Sequence, residues 1–235
     1  MKILALETSA KAVSAAVVEN GKVLCSGYQD TGLTHSRTLM PIVEHILKNT
    51  GMTMAQIDAV AVAAGPGSFT GIRIGVSAAK GLAFAIEKPT VSVSVLAAMA
   101  RNVAFRDGLI ICAMDARRNQ VYNAIFLADG GSLTRMCEDR AIALADLKVE
   151  LEHIDGPVYL VGDGAALAYK TLSGEIPELI LPPEHCQHQR ASGVALAALD
   201  AIARGETGDG AALQPNYLRL SQAERERMEK LQAQK

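Results

Sequence analysis

The sequence has no tryptophan, few other aromatic residues and no excess of either charge. Its 235 residues carry 23 Lys and Arg against 25 Asp and Glu, a formal net charge of -2 at pH 7. A protein that binds nucleic acid alone needs a basic surface, so this composition argues against that class. The four cysteines, Cys25, Cys112, Cys137 and Cys186, are scattered and form no Cys-x-x-Cys pair. They therefore indicate neither a zinc site nor a disulfide framework.

The sequence also lacks an uninterrupted apolar run of the roughly 20 residues that a membrane span requires. A short apolar run follows Met1 and Lys2, but Glu7 interrupts it, which is not typical of a secretory leader. With 49% apolar residues, a chain of this length buries one core or two small ones. We therefore expect a soluble, cytoplasmic protein with no membrane contact.

The most informative segment that is present runs Gly65-Pro66-Gly67-Ser68-Phe69-Thr70-Gly71-Ile72-Arg73 and joins an apolar strand to an apolar helix. Two interpretations fit it. As a phosphate cradle, it would offer Gly67, Ser68, Thr70 and free helix amides to an anion. As a tight strand-to-helix corner, it would use glycine for backbone conformation and close approach. The P-loop pattern Gly-x-x-x-x-Gly-Lys-Ser/Thr is absent and Lys80 lies well inside the helix, which favours the corner.

Hydrophobic patterning divides the chain into alternating strands and helices. In the first half it predicts strands at 2–6, 13–18, 22–27, 57–64 and 90–93, and helices at 36–50, 72–86 and 95–101. The second half repeats the start of the first at an offset of 108 residues, with Leu4-Ala5-Leu6-Glu7 matching Cys112-Ala113-Met114-Asp115. Further on, a strand is predicted at 158–161 and helices around Tyr169 and over 192–204. Each half thus opens with a strand that ends in an acid.

Five motifs together resemble those of the TsaB family, the partner subunits of the bacterial machinery that makes threonylcarbamoyladenosine in tRNA. They are Leu4-Ala5-Leu6-Glu7-Thr8-Ser9, Thr34-His35-Ser36-Arg37-Thr38-Leu39-Met40-Pro41, the glycine-rich segment, Met114-Asp115-Ala116-Arg117 and Pro215-Asn216-Tyr217-Leu218-Arg219. The resemblance covers nearly the whole chain. It implies a duplicated α/β fold of the actin and hexokinase type, which is ribonuclease H-like, with two lobes that each hold a mixed sheet and flanking helices. We assign the lobes to 1–106 and 107–220, followed by a charged tail over 221–235.

In that superfamily the acid-ended hairpins of both halves embrace the phosphates of a nucleotide, with a glycine after the acid. Here the corners read Glu7-Thr8-Ser9-Ala10 and Asp115-Ala116-Arg117-Arg118, and neither contains glycine. The missing backbone freedom argues against an ordinary ATP cleft. Two roles stay open for Glu7 and Asp115. Either they are general acids or metal ligands, or they cap turns or pair with Arg117 or Arg118.

The catalytic relative TsaD gives a more detailed comparison, because the first half of this chain resembles it in sequence. In TsaD two histidines four residues apart hold a metal, and the aligned positions here are Val95 and Met99. Neither side chain replaces an imidazole, so the resemblance implies no metal site in this chain. The histidines present do not rebuild one: His35 is expected to cap or pack a helix start, while His185 and His188 beside Cys186 lack an obvious third ligand. We predict no catalytic residues and no cofactor bound by this chain alone.

If this chain has no catalytic residues, its function depends on the surface that it offers to a partner. The two helices after the first meander are rich in apolar and small residues, and the resemblance implies that they pair with the same helices of TsaD. The predicted interface residues are Leu39, Val43, Ile46, Leu47, Ile72, Val76, Ala79 and Ala83. The alternative role of these residues is packing inside this chain. Without the partner, an exposed patch of this kind favours a homodimer.

The resemblance thus implies a non-catalytic scaffold that binds and activates TsaD for threonylcarbamoyl transfer to N6 of adenosine 37. ATP and a metal belong to TsaD and to the ATPase TsaE, and tRNA is met only through the complex. Gly67, Ser68 and Thr70 remain candidates for a nucleotide contact within that complex. The competing hypothesis is a weak ATPase or peptidase-like hydrolase that acts alone, and independent nucleotide binding separates the two. Tyr217 is expected to anchor the chain end or to stack on a base.

Overall fold

A computed structural model describes residues 1–152, 154, 156–174, 176 and 178–219. The first half contains β1 Lys2–Glu7, β2 Val13–Glu19, β3 Lys22–Gln29, α1 His35–Thr50, β4 Ala59–Gly65, α2 Phe69–Ile86, β5 Thr90–Ser94 and α3 Val95–Ala100. The second half contains β6 Gly108–Asp115, β7 Gln120–Asp129, β8 Ser132–Arg135, β9 Arg140–Ala143, α4 Leu144–Glu150, β10 Val158–Val161, α5 Ala165–Leu172, β11 Leu179–Ile180, α6 Glu184–Gln187 and α7 Ala191–Ala203. The elements predicted from patterning are confirmed within a few residues, and the predicted tail over 221–235 lies outside the described residues.

Two mixed sheets repeat the same arrangement. The first has five strands in the order β3-β2-β1-β4-β5, and the second has six, in the order β11-β10-β6-β7-β8 with β9 also on β7. In each, the acid-ended strand lies in the middle, antiparallel to the next strand and parallel to the strand after the first helix. The predicted duplication is therefore confirmed as a repeat of sheet topology.

The two repeats differ by one residue at their first corner. Glu7 pairs with Ser14 across the β1-β2 hairpin, whereas Asp115 pairs with Val121 across β6-β7. At the offset of 108 residues between the two acids, the partner of Asp115 would have been Tyr122. The second hairpin corner is thus tighter than the first.

Three apolar clusters hold the layers together, and one of them belongs to both halves. It is built from the facing sides of the two sheets with α3 and α7 between them. The other two lie on the outer faces, under α1 and α2 in the first half and under α4 and α5 in the second. The boundary at 106/107 separates the two sheets, but α7 packs on β1, β2, β4 and β5 of the first sheet. The helix layer is therefore shared between the sequence halves.

The helix α2 is the one described helix with the length and apolar composition of a membrane span. Its buried residues pack on β4 in the cluster beneath α1 and α2, which is the arrangement of a core helix in a globular domain. Ser68 caps the N-terminus of the helix, since its Oγ accepts a hydrogen bond from the Gly71 amide. Its C-terminal end reaches Glu87 in the left-handed conformation. These bounds place its first turn at the cleft between the sheets.

Candidate partner surface and interlobe cleft

A cleft of about 570 Å³ opens where the acid-ended strands of both halves finish. Its walls come from both hairpin corners, the glycine-rich corner and the end of the described chain. The lining residues include Ser9, Lys11, Gly67, Ser68, Phe69, Thr70, Asp115, Arg117, Asp163, Asn216, Tyr217 and Arg219. Lysine and arginine side chains therefore share this space with two carboxylates.

The glycine-rich corner is packed directly against the first hairpin corner. A Cβ on Gly67 would lie 2.4 Å from the Ser9 carbonyl oxygen, and one on Gly71 would lie 2.1 Å from the Thr8 carbonyl oxygen. The Ser68 amide donates to the Ser9 carbonyl at 2.7 Å, and the Thr8 hydroxyl donates to the Gly71 carbonyl at 2.8 Å. The glycines thus serve backbone-to-backbone approach, which is the role of the tight corner. An anion contact at Gly67, Ser68 and Thr70 stays a prediction for the complex, and Ser68 and Thr70 are exposed on the cleft wall.

Glu7 lies at the base of the first corner and is only 1% exposed. Its Oε1 accepts a hydrogen bond from the Ser9 amide, so the carboxyl closes its own turn. Burial raises the pKa of Glu7 to about 7, with a smaller contribution from the charge of Asp163, against the hydrogen bond from the Ser9 amide. Among the described residues, Glu7 Oε2 and Ser9 Oγ are buried without a hydrogen-bond partner. An unpartnered oxygen disfavours the carboxylate, which agrees with the direction of the pKa shift.

The second corner makes the same turn in a different environment. The Arg117 amide donates to Asp115 Oδ1 at 2.7 Å, but Asp115 is exposed. Arg117, Arg118 and Asn119 take φ values of 63°, 55° and 55°, in the left-handed region. Three consecutive residues other than glycine in that region are rare and strained. Both acids therefore cap turns, as one of the two sequence interpretations predicts.

A third carboxyl, that of Asp163, faces the same cleft from the corner after β10. Loss of surrounding water raises the pKa of Asp163, against a hydrogen bond from Gln189 at 3.2 Å. The glycines that flank this carboxyl again permit close approach, since a Cβ on Gly162 would lie 2.0 Å from the Ala113 carbonyl oxygen. The second repeat therefore closes its sheet corner in the same way as the first.

The two positions that the resemblance predicts to match metal-binding histidines lie in the shared core. Val95 and Met99 on α3 are fully buried in the apolar cluster between the sheets. No group of three His, Cys, Asp or Glu side chains with metal-binding geometry occurs in the part of the chain that the structure describes. His35 Nε2 lies 2.9 Å from the Ala10 carbonyl oxygen, so this ring packs the start of α1 against the first corner.

The structure corrects which faces of α1 and α2 a partner can reach. Seven of the eight predicted interface residues are buried in this chain's own core under the two helices, and Leu47 is partly buried beside them. The buried set is Leu39, Val43, Ile46, Ile72, Val76, Ala79 and Ala83. Apolar residues at helical spacing mark the face of a helix that packs into the core, and here the sheet β1-β2-β4 covers that face. A partner would therefore meet the other faces of the same helices.

An apolar groove of about 610 Å³ runs along those outward faces, and we call it the α1-α2 groove. It is lined by Ser36, Leu39, Met40, Phe69, Thr70, Arg73, Ile74, Ser77 and Ala78. Met40 is 44% exposed, and Ile74 and Ala78 are partly exposed. Of the predicted interface residues only Leu39 lines the groove. Ile74 and Ala78 could have been found from sequence as the small and apolar residues one position away from the core stripe on α2.

The last described residues include the motif Pro215-Asn216-Tyr217-Leu218-Arg219, whose place in the fold the sequence does not predict. The structure places Tyr217 against the first turn of α2, where its ring stacks on Phe69 with centroids 4.6 Å apart. Tyr217 anchors the chain end, as the first of its two predicted roles requires.

The fold and site together define a duplicated α/β protein of the actin and hexokinase type. Its cleft has turn-capping acids without the glycines that admit phosphate, and its exposed apolar groove lies on two helices of the first half. A solved protein from Pseudomonas aeruginosa, described as similar to the peptidase YeaZ, has the same fold: TM-score 0.75, 28% identity, 93% of this chain and 99% of that one. Component A of the (R)-2-hydroxyglutaryl-CoA dehydratase of Acidaminococcus fermentans shares the fold at 12% identity and a TM-score of 0.51, over 86% of this chain and 99% of that one.

Comparison of sequences identifies the family. Residues 29–227 match the family model described as TsaD, tRNA N6-adenosine threonylcarbamoyltransferase. The Bacillus subtilis tRNA threonylcarbamoyladenosine biosynthesis protein TsaB is 33% identical over 225 residues, which cover 95% of this chain and 96% of that one. The Escherichia coli TsaB is 32% identical over 222 residues, with coverages of 93% and 95%. The chain belongs to the TsaB family, as the sequence motifs predict.

Proposed function

We propose that this protein is a non-catalytic scaffold subunit in the biosynthesis of threonylcarbamoyladenosine in tRNA. It binds the transferase TsaD through the α1-α2 groove and activates TsaD for transfer of the threonylcarbamoyl group to N6 of adenosine 37. The observation that carries this proposal is the groove itself, with Met40 exposed and Ile74 and Ala78 partly exposed on helices whose other faces are already buried. An apolar surface of this kind on a protein outside any complex marks an interaction site.

The cleft supports a non-catalytic role. The amide of Ser68 is engaged by the Ser9 carbonyl, and the Thr8 and Gly71 backbones touch, so a phosphate has no room between these segments. Glu7 is buried and its Oε1 accepts the hydrogen bond of its own turn, so its carboxyl is not part of the cleft wall. The names of the relatives, tRNA threonylcarbamoyladenosine biosynthesis proteins, support the pathway.

The same groove is also the contact that we propose for the protein alone. On its own, the chain covers the groove by forming a homodimer, and it exchanges this contact for TsaD when TsaD is present. An interface of roughly 800 Å² per partner is the ordinary scale for such pairing. TsaE, with its ATP, joins through the complex, and TsaD and TsaE supply the metal and nucleotide chemistry. The chain meets tRNA only within that assembly, which operates in the cytoplasm.

The test is size-exclusion chromatography with light scattering on the chain alone and mixed with TsaD. Ile74→Glu places a charge in the groove and should abolish the heterodimer, because a buried unpaired charge is strongly unfavourable. Val76→Glu is unsuitable, because Val76 is 4% exposed and the substitution would damage the core. Met136→Glu is the matched control, because Met136 is 56% exposed on the second half and outside the groove. It should pair normally.

Two results would overturn the proposal. One is unchanged co-elution of folded Ile74→Glu with TsaD. The other is tight, magnesium-dependent ATP binding by the chain alone in isothermal titration calorimetry, since that would return the hypothesis of an independent ATPase or hydrolase. The cations that line the cleft, Lys11, Arg117 and Arg219, make this second measurement worth performing.

A further inference from the structure

The last described residues of the chain, 215–219, pass through the interlobe cleft, and we call them the strap. Four of them, Asn216, Tyr217, Leu218 and Arg219, are part of the cleft wall. They follow α7 and the loop in which Gly208 pairs with Thr90 at the edge of the first sheet. The strap thus returns from that edge to the place where the two halves of the molecule meet.

The strap is first held at the end of β4. The Asn216 amide donates to the Ala64 carbonyl at 2.7 Å. A Cβ on Gly65 would lie 2.1 Å from the Asn216 carbonyl oxygen, so the strap passes where only a glycine leaves space. Gly65 also has φ of 140°, a conformation that residues with side chains rarely adopt. The glycine-rich corner is therefore shaped for the strap on one side and for the first hairpin corner on the other.

The second attachment is a stack of three side chains at the first turn of α2. The Tyr217 ring stacks on Phe69 at 4.6 Å with 24° between the planes. Arg73 lies over the Phe69 ring at 3.8 Å, and its Nε donates to the Tyr217 hydroxyl at 2.8 Å. Aromatic stacking, a cation over a ring and a hydrogen bond combine here to fix one tyrosine. We call this set the Tyr217 stack.

The third attachment lies on the other half of the molecule. Arg219 Nη1 donates to the Ala116 carbonyl at 2.8 Å, at the second hairpin corner. The strap is thus tied to the first half at Ala64 and Phe69 and to the second half at Ala116. Because it crosses the cleft mouth between these points, movement of the two walls apart has to break at least one attachment.

The Tyr217 stack also borders the α1-α2 groove. Phe69, Thr70 and Arg73 line the groove on one side and belong to the turn that holds the strap on the other. We propose that the strap is a latch that closes the interlobe cleft, and that a partner seated in the α1-α2 groove holds the latch closed by covering Phe69 and Arg73. The second part of this inference rests on the proposed function, because it takes TsaD as the occupant of the groove. Removing water from Arg73 strengthens its contacts with both rings.

The latch is tested by hydrogen-deuterium exchange on the whole chain, read at peptides that contain Ser68 and Arg117. Both residues line the cleft, and their amides donate to Ser9 and to Asp115 in the same wall, so separation of the two walls increases the access of water to them. Tyr217→Ala should speed exchange at these peptides roughly tenfold, since it removes the stack and the hydrogen bond. Arg219→Gln should speed exchange to a similar extent at Arg117. Tyr217→Phe keeps the stack, so it should speed exchange less. Phe84→Ala is the control, because Phe84 is 86% exposed at the other end of α2.

The partner arm repeats the measurement in the complex with TsaD. Exchange at the same peptides should slow on pairing in the unmodified chain and remain fast in Tyr217→Ala. Ile74→Glu separates the two proposals, because it should prevent pairing and yet keep slow exchange at Ser68 and Arg117 in the chain alone. The latch is overturned if Tyr217→Ala and Arg219→Gln leave the cleft peptides unchanged, or if they speed exchange equally in β1 and β6. Equal speeding would mean that the strap contributes only general stability.

Discussion

The two hairpin corners of the duplicated unit make the same turn in opposite environments. In the first, Glu7, Thr8 and Ser9 are almost completely buried beneath the glycine-rich corner. In the second, Asp115 and the arginines after it are exposed at the cleft mouth. Both acids still accept a hydrogen bond from the amide two residues later. Local turn chemistry is thus preserved by the repeat, while burial and charge depend on what packs against the turn.

The difference also shows where each corner is unfavourable. The first contains a buried carboxyl with a raised pKa and two buried oxygen atoms without a partner, among the residues described. The second has little buried polar surface but three residues in the left-handed region. An electrostatic cost therefore belongs to the first corner and a conformational cost to the second, and Glu7→Gln and Arg118→Gly test them separately.

The largest expected effect comes from adding a side chain where the first corner leaves no room for one. Gly71→Ala would place a Cβ 2.1 Å from the Thr8 carbonyl oxygen, so backbone must move. We expect a loss of about 3 kcal/mol in the free energy of unfolding, measured by urea denaturation. Gly81→Ala is the matched control on the same helix, because nothing lies within 4 Å of its added Cβ. It should stabilise by up to about 1 kcal/mol, because alanine favours helix. Equal effects of the two would show that the close approach is not required.

The next effect concerns the buried acid. The pKa of Glu7 is raised from 4.5 to about 7, so the folded state holds a proton that the unfolded state releases over this range. The free energy of unfolding therefore falls as pH rises from about 4.5 to 7, by up to about 3 kcal/mol. Glu7→Gln keeps an acceptor for the Ser9 amide and should remove this part of the pH dependence, which makes the variant the more stable form above pH 7. The measurement is urea denaturation between pH 5 and pH 8.

Asp115→Asn is the control for this prediction. Its carboxyl makes the same turn but is exposed, so this variant removes a turn-capping acid without removing a buried one. A profile for Glu7→Gln that runs parallel to that of the unmodified chain would contradict the buried-acid account.

The smallest effect tests the conformational cost of the second corner. Arg118→Gly puts glycine at φ 55° and should stabilise the fold by up to about 1 kcal/mol, less the entropy that glycine adds to the unfolded chain. Lys11→Gly in the first corner is the counterpart, because Lys11 has no positive φ and gains no relief. It should destabilise by about 0.5 to 1 kcal/mol. Thermal unfolding by calorimetry compares them, and a loss of stability in both would remove the strain argument.

Much of the fold could be predicted because its signals are local. Alternating and helical hydrophobic periods gave the strands and helices of the first half almost residue by residue, and the match between Glu7 and Asp115 gave the duplication. The helix packing between the sheets could not be obtained in this way. The placement of α7 from the second half on the first sheet is a long-range choice, and its apolar pattern is the same whichever sheet it covers.

The features of the candidate site also fall into those that the sequence predicts and those that depend on the tertiary structure. Sequence determined that the hairpin corners lack glycine after their acids and that α1 and α2 each carry an apolar stripe. Only the tertiary structure decided that those stripes face the core, which leaves Met40, Ile74 and Ala78 to line the groove. It also brought Tyr217 to Phe69 and Arg219 to Ala116. A sequence records the chemistry of each residue and its nearest neighbours, whereas the environment that buries a side chain or shifts its pKa comes from segments far away in the chain.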